Sequence, residues 1–195
     1  ASSWGEIRIN ATIASYMKGY SDPRSAVYFT TSKLGGDSPY MGMRSGLEGV
    51  KPATYSGYSM PNYEQKDDML MFCAAETAFL RAEGALRGWD MGGDAQALYE
   101  KAIALSFEER GGTTGADRYV KDTEKKPIDY VNPMDGADIK YSHSAVSTIT
   151  IAWEPGAENF ERNLERIITQ KWIAIFPLGL EAWAEHRRTG YPKLL

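Results

Sequence analysis

Residues 67–111 read DDMLMFCAAETAFLRAEGALRGWDMGGDAQALYEKAIALSFEERG and predict two amphipathic helices joined by a short glycine-rich turn. In the first helix, residues that share one face recur at alternating steps of four and three: Met71, Ala75, Ala78, Ala82, Ala85 and Trp89. Most of them are alanine, whose small side chain lets another helix approach closely. After Gly92 and Gly93, Asp94 can cap a second helix that ends at Gly111. Its predicted inward stripe is Leu98, Tyr99, Ala102, Leu105 and Ser106.

The two helices, the turn and the placing of Leu86, Gly88, Tyr99 and Ala102 resemble one tetratricopeptide unit. One helical hairpin cannot bury its own apolar faces, and arrays of such repeats need about three units. Only one unit is recognisable in this sequence. Either the rest of the chain packs around it irregularly, or the chain is a piece of a longer protein. Residues 1–4 contain neither an initiator Met nor a signal peptide, which favours the second interpretation.

The composition excludes several classes of protein. The chain has 195 residues and is 43% hydrophobic, which is enough for one domain with a core or for part of a larger one. Its net charge is −4 with interleaved signs, so it lacks the basic surface that nucleic acid or an anionic membrane would need. The single cysteine, Cys73, lies in the first hairpin helix and predicts a buried thiol and no disulfide scaffold. No apolar run approaches the roughly 20 residues of a membrane-spanning helix.

Two further predictions concern the first part of the chain and the segment after the hairpin. Apolar residues between Trp4 and Tyr20 are in helical register, and Pro23 requires a change of direction shortly afterwards. Residues 27–31 are β-prone and predict a short edge strand. Residues 147–151 predict another short strand.

Residues 157–192 predict a pair of C-terminal helices. The first has a strong apolar stripe that ends at Pro177, and the second ends at Gly190. In the second helix, three residues are predicted to continue the apolar stripe: Leu180, Trp183 and Ala184. Four charged residues of the first helix are predicted to lie on its solvent side: Glu161, Arg162, Glu165 and Arg166.

Residues 32–66 are rich in glycine, proline, serine and tyrosine and have no helical period. Long loops inside a domain are commonly functional or disordered, and the tyrosines argue against disorder. Sugar rings stack their apolar faces on aromatic side chains, so an ordered surface bearing tyrosines can bind a carbohydrate or a peptide. We therefore predict that Tyr40, Tyr55 and Tyr58 contact the ligand. The alternative is that these rings pin the loop to the core.

The sequence offers little support for catalysis. His143 and His186 have no second histidine or cysteine at metal-ligand spacing, and no nucleophile elbow or phosphate loop is present. Glu76 and Glu83 share a helical face and could form an acid–base couple. Two helical turns separate them by roughly 10 Å, and Arg87 follows Glu83 by one turn, so buried ion pairing is the favoured interpretation. We predict no catalytic residue, no cofactor and no metal.

Several stretches together resemble the SusD/RagB family. Its tetratricopeptide pair is similar to FLRAEGALRGW (79–89), ALYE (97–100) and SFE (106–108). Its C-terminal signature is similar to ERIITQKWIAIFP (165–177), GLEAWAE (179–185) and RRTGYP (187–192). The sequence DPR (22–24), after a helix that ends in Gly19 and Tyr20, resembles a further family element. Three tryptophans match the signatures, and their helical positions predict a place in the core: Trp89, Trp172 and Trp183.

The resemblance implies an all-α fold (an α-α superhelix) of tetratricopeptide-like hairpins with long irregular loops. In that interpretation, residues 1–195 are the C-terminal part of a single, larger domain. Three regions are expected within it: the hairpin at 67–111, the loop-rich ligand region at 32–66 and the helical pair at 157–192.

The resemblance also implies a function. Family members are lipid-anchored proteins on the surface of the bacterial outer membrane in Bacteroidetes. They bind oligosaccharides, or in some cases peptides, and deliver them without catalysis to a SusC-like TonB-dependent transporter. The lipid-bearing cysteine would precede residue 1, because Cys73 lies far from any N-terminus. The alternative function is a tetratricopeptide scaffold that binds a protein partner through its concave face.

Overall fold

The computed structural model of the protein describes residues 6–36, 38–47, 51–135 and 141–195. Every regular element in these ranges is a helix, and strand pairing is limited to isolated bridges, so the predicted all-α class is confirmed. The chain forms two compact units. Unit 1 comprises Ala1–Asp68, Lys126–Thr148 and Leu194–Leu195, and unit 2 comprises Met69–Lys125 and Ile149–Lys193.

Helix α1 of unit 1 spans Ala11–Gly19, so the predicted helix is shorter than its apolar register suggested. Trp4 lies outside the described residues. Ile9 is extended because its backbone pairs with other segments: its N–H donates to the Ser59 carbonyl (3.0 Å), and its carbonyl accepts from Met43 (2.8 Å). Asn10 then caps the helix through a 2.7 Å bond from the Thr12 N–H.

Helix α2 spans Ser25–Tyr28, where the sequence predicted the start of an edge strand, and that prediction was wrong. The cause lies just upstream, where Asp22 and Arg24 form a fully buried ion pair at 2.6 Å. Asp22 Oδ1 also accepts the Arg24 N–H at 3.0 Å, which favours a helical turn over the extended conformation. Only one isolated bridge, from Phe29 to Pro61, remains of the expected strand.

The hairpin of unit 2 consists of α4, Ala74–Leu86, and α5, Ala95–Glu109. The short α3, Pro52–Tyr55, precedes it in the loop region of unit 1. Asp94 caps α5 as predicted, because its carboxylate accepts the Ala97 N–H at 3.0 Å. The alanine face of α4 is buried as predicted at three positions: Ala75, Ala78 and Ala82.

The prediction for the first hairpin helix was wrong at both ends of its shared face. Met71 precedes α4 and is exposed, and Trp89 follows it with 65% of its surface exposed. Cys73 is a buried free thiol, but it lies immediately before α4 and not inside it.

The last residue of α5, Glu109, and the residue that follows it, Arg110, bind the ends of two other helices. The Glu109 carboxylate accepts the Ala74 N–H at 2.6 Å, and the Ala75 N–H at 3.2 Å. Arg110 Nη2 donates to the carbonyls of Ala174 (2.6 Å) and Phe176 (2.9 Å). The backbone N–H groups at the start of α4 and the carbonyls at 174 and 176, which lack partners within their own helices, are therefore satisfied by neighbouring side chains.

Unit 2 is completed by α6 (Ala116–Tyr119), a 3-10 turn (Ala157–Asn159), α7 (Phe160–Ala174) and α8 (Gly179–Thr189). The strand predicted at 147–151 is absent from this described segment. Ile149 and Ile151 are buried, and the Ile151 carbonyl accepts the Tyr99 hydroxyl at 2.8 Å.

The two C-terminal helices form as predicted, but their faces differ from the prediction. In α7, Glu165 and Arg166 are buried, and Arg166 is only 1% exposed. Arg166 is tolerated inside because it donates to the carbonyl of Thr150 (3.1 Å) and to the Glu154 carboxylate (2.5 Å). The prediction that these charges lie at the surface was therefore wrong for both residues.

Helix α8 turns its apolar side outward. Leu180 is 89% exposed and Trp183 is 56% exposed, so the predicted inward stripe was wrong, and Ala184 is exposed with them. The inner face is charged: Glu185 lies 3.1 Å from Lys171 and 2.6 Å from Arg188. Ion pairs occupy the side on which apolar contacts were expected. The prediction that three tryptophans lie in the core was wrong for Trp89 and Trp183, which are exposed. Trp172 is only half-buried.

Candidate functional site

Unit 1 contains a cavity of about 810 Å³, which we call the unit 1 cavity. Four parts of the unit line it: the second half of α1, loop residues 34–36 with 40–41, the segment at 126–133, and the segment at 145–148. This volume lies in the range of small-ligand sites. It is therefore a place in unit 1 where a ligand of a few sugar rings or a short peptide could be held.

The α1 wall of the cavity is fixed by close backbone packing. The Ser15 hydroxyl donates to the Ile128 carbonyl, and the Ile128 N–H donates back to the Ser15 carbonyl at 3.4 Å. One turn later, any side chain at Gly19 would collide with the Lys126 carbonyl. Glycine at this position lets the segment at 126–128 lie directly against the helix.

Tyr130 joins two of the lining segments. Its hydroxyl donates to the Gly42 carbonyl at 2.9 Å, and its backbone forms an antiparallel bridge with His143 through two 2.8 Å bonds. Burial raises the pKa of the Tyr130 phenol, and its neighbour Tyr58 raises the pKa further. The hydroxyl therefore stays protonated and holds the loop in place.

A hydrogen-bonded cluster supports the far side of the same segment. Tyr58 donates to Asn132 Oδ1 at 2.6 Å, and Asn132 Nδ2 donates to Asp135 at 2.7 Å. Asp135 also accepts the N–H and the hydroxyl of Ser142, both at 2.8 Å. Burial tends to raise the pKa of Asp135, but the bonds from Ser142 and Asn132 outweigh it and lower the pKa.

The structure separates the three predicted ligand tyrosines. Tyr40 lines the unit 1 cavity, is half-buried and packs edge-on against Phe29 with ring centroids 6.1 Å apart. Tyr55 is half-buried outside the cavity lining, with the Arg8 guanidinium 5.2 Å from its ring centre. Tyr58 is buried within the cluster around Asn132 and does not line the cavity. The contacts of Tyr58 are those expected from the alternative prediction, in which a ring pins the loop to the core.

The sequence alone did not indicate that the segment at 126–133 takes part in the cavity. It contributes more lining positions than the tyrosine-bearing loop does, among them Pro127, Val131 and Pro133. The available signal was the apolar group of Ile128, Tyr130 and Val131 between two prolines, inside a longer segment, 113–155, that is mostly polar.

In unit 2, Glu76 and Glu83 take part in ion pairs, as the favoured interpretation predicted. Glu83 lies 2.6 Å from Arg188 and 2.9 Å from Arg87, whereas Glu76 lies 3.6 Å from Lys171. Burial raises the pKa of Glu76 and outweighs the opposing charge of Lys171. For Glu83 burial acts in the same direction, but the hydrogen bonds from Arg188 and Arg87 prevail and lower its pKa.

The two histidines have contacts of their own. His143 Nδ1 lies 2.6 Å from the Ser144 carbonyl, and His186 stacks on Trp183 with ring centroids 5.8 Å apart. Within the described ranges, no group of three or more His, Cys, Asp or Glu side chains is placed to hold a metal ion. None of the described helices has the length and hydropathy that crossing a membrane requires.

The fold and the cavity define a class: a tetratricopeptide-type helical protein with a cavity lined by one helix and several loops. The family model described as Susd and RagB outer membrane lipoprotein matches the chain over residues 1–195. The chain therefore belongs to the SusD-like family of outer-membrane lipoproteins, which confirms the resemblance drawn from the sequence.

Solved structures of family members agree with this assignment. A SusD homologue from Bacteroides thetaiotaomicron is 47% identical, with a TM-score of 0.89 over 96% of this chain. A chitin-binding SusD homologue from Flavobacterium johnsoniae is also 47% identical, with a TM-score of 0.90 over the whole chain. A SusD homologue from Bacteroides vulgatus is 39% identical, with a TM-score of 0.89 over the whole chain. The chain spans 39% of the length of each of these three structures. No curated protein matches it.

Proposed function

We propose that the protein captures oligosaccharides at the bacterial cell surface, without catalysis, and delivers them to a SusC-like TonB-dependent transporter. A lipid on a cysteine that precedes residue 1 would anchor it to the outer membrane. Residues 1–195 would then form the C-terminal part of one longer domain, as the 39% share of the related structures supports.

The observation that carries the proposal is the unit 1 cavity with Tyr40 in its wall. A half-buried tyrosine ring offers a face for the C–H groups of a sugar, and its hydroxyl is a further hydrogen-bonding group. The relative from Flavobacterium johnsoniae is described as chitin-binding, which supports a saccharide as the first ligand class to test here. Of the three predicted ligand residues, Tyr40 is the one that the cavity favours, because Tyr55 and Tyr58 lie outside its lining.

Binding and turnover can be tested together. Calorimetric titration of the protein with soluble oligosaccharides derived from chitin, cellulose and starch should detect binding of at least one, with no new reducing ends after prolonged incubation. Tyr40→Ala should weaken that binding by about tenfold, in line with the loss of one stacking contact. Tyr63→Ala is the matched control, because Tyr63 is exposed and lies outside the cavity lining.

Three results would count against the proposal. Hydrolysis of a bound oligosaccharide would contradict a non-catalytic role. If short peptides bind and none of the saccharides does, the ligand class is peptides and not oligosaccharides. Delivery is tested by copurification from outer membranes, where absence of any TonB-dependent β-barrel would remove the transporter from the proposal.

The second candidate function is a tetratricopeptide scaffold that binds a protein partner. The exposed side of α8, with Leu180 and Trp183, is the observation that favours it. Copurification of a soluble protein in place of a β-barrel, lost in Trp183→Ala and retained in Tyr40→Ala, would support this alternative.

A further inference from the structure

Asp129 is the one acidic side chain that the described residues contribute to the lining of the unit 1 cavity. It lies in a row where exposure alternates along the chain: residues 129, 131 and 133 are exposed, and residues 130 and 132 are buried. Successive side chains of an extended segment point to opposite sides, which explains the alternation. The Asp129 carboxylate therefore lies on the open side of its segment, in the cavity wall.

One oxygen of this carboxylate is held by the protein and the other is available to a ligand. Asp129 Oδ1 accepts the Ala145 N–H at 2.8 Å, which ties the side chain to a second lining segment. Asp129 Oδ2 has neither a hydrogen bond nor an ion pair with any residue that the structure describes. Because an ionised carboxylate has about four acceptor sites, most of its capacity is unused. A ligand would therefore meet an acceptor whose orientation is set before binding.

The lining also contains charged hydrogen-bond donors. Lys18 and Lys126 end in ammonium groups, which donate and do not accept. Their backbones lie close together, because Gly19, the neighbour of Lys18, packs against the Lys126 carbonyl. A sugar hydroxyl both donates and accepts, so an uncharged saccharide can form bonds with the carboxylate and with the ammonium groups.

We propose that Asp129 is a ligand-binding residue that orients the saccharide, because its Oδ2 accepts a hydrogen bond from a ligand hydroxyl. A bond to an ionised acceptor is stronger than one between neutral groups. Val131 and Pro133, in the same row, present apolar surface, and a hydrogen bond beside covered apolar surface is stronger than one in water. This inference rests on the proposed function, since it names the residue through which the cavity fixes its saccharide.

The test is calorimetric titration with three uncharged tetrasaccharides: β-1,4-linked glucose, α-1,4-linked glucose and β-1,4-linked N-acetylglucosamine. Asp129→Asn keeps an oxygen for the Ala145 N–H but replaces the second oxygen with an NH2 group, which donates. Each tetrasaccharide that binds the parent should bind this variant about tenfold or more weakly, because a hydrogen bond to a charged group is lost. Asp68→Asn is the matched control and should bind as the parent does, since Asp68 is an exposed carboxylate of unit 1 outside the lining.

A third variant distinguishes ligand contact from structural support. Asp129→Ala removes the bond to Ala145 as well, so it should lose affinity to a similar degree and also lower the midpoint of thermal denaturation, which Asp129→Asn should leave unchanged. Parental affinity in Asp129→Asn would overturn the inference. If Asp129→Ala alone then loses affinity, Asp129 supports the segment at 145–148, and the proposed function stands. Failure of all three tetrasaccharides to bind the parent would overturn both the inference and the proposed function.

Discussion

Glu83 and Arg188 form a bidentate ion pair that joins α4 to α8, with both N–O distances at 2.6 Å. Arg188 also reaches Glu185 at 2.6 Å, so one guanidinium bridges two carboxylates. The inner side of α8 is charged, so this ion pair attaches α8 to α4 in place of apolar contacts.

Removal of Arg188 should therefore destabilise unit 2. Arg188→Ala leaves Glu83 buried with only Arg87 beside it, and we expect the free energy of unfolding to fall by about 1–2 kcal/mol. Arg187→Ala is the control, because Arg187 is an exposed neighbour, and it should be neutral. Urea unfolding followed by circular dichroism measures both. Equal stabilities would show that the pair contributes nothing.

The carboxylates around Lys171 should differ in their contributions. Burial raises the pKa of Glu76, so its stabilising contribution is lost as the pH rises through that raised value. Glu76→Gln cannot ionise, and at pH 7 it should be as stable as the parent or more stable. Glu185→Gln should cost about 2 kcal/mol, because Glu185 pairs with both Lys171 and Arg188. A larger loss in Glu76→Gln than in Glu185→Gln, by urea unfolding at pH 7, would contradict this ranking.

Glu154 should produce an acid-dependent loss of stability. Hydrogen bonds from Arg162 lower its pKa from 4.5 to about 2, with burial opposing them and Arg166 assisting. A lowered pKa stabilises the fold above the ordinary value, and this contribution disappears as the pH falls from 4.5 towards 2. The loss should be about 1–2 kcal/mol after allowance for solvent screening. Glu154→Gln should show a flatter dependence of the unfolding free energy over that range, and an unchanged slope would contradict the role of this carboxylate.

Substitutions at Tyr58 and Tyr40 should affect different properties, stability at Tyr58 and ligand affinity at Tyr40. Tyr58→Phe removes the 2.6 Å bond to buried Asn132, and we expect a loss of about 1 kcal/mol in stability with unchanged ligand affinity. Tyr40→Ala should mainly weaken ligand binding. Thermal denaturation and calorimetric titration of both variants test the pair, and the opposite pattern would assign the binding role to Tyr58.

The helical hairpin was predictable because its residues obey simple periodicity. The small residues Ala75, Ala78 and Ala82 mark the buried face of α4, and Asp94 marks the start of α5. Which face of α8 is buried was not predictable. The spacing of Leu180 and Trp183 does not show that Lys171 and Glu83 form ion pairs with the charged face of the helix. The burial of Arg166 was not predictable for the same reason, since its partners Thr150 and Glu154 lie 16 and 12 residues earlier, outside α7.

The cavity was predictable only in part. The tyrosine-bearing loop led to Tyr40, but its neighbours in the wall come from residues 126–133, almost 90 positions away in the chain. Contact between such distant segments depends on tertiary pairing, including the bond from Tyr130 to Gly42. Val27 and Tyr28, the first two of the β-prone residues 27–31, likewise lie in helix α2 because of the buried pair between Asp22 and Arg24.

The two neighbouring side chains at the end of α5 give unit 2 a shared point of failure. Glu109 holds the first turn of α4, and Arg110 holds the last turn of α7. Fraying of this single turn would release both contacts in one event, so the three helices should exchange their amide hydrogens as one cooperative group and not independently.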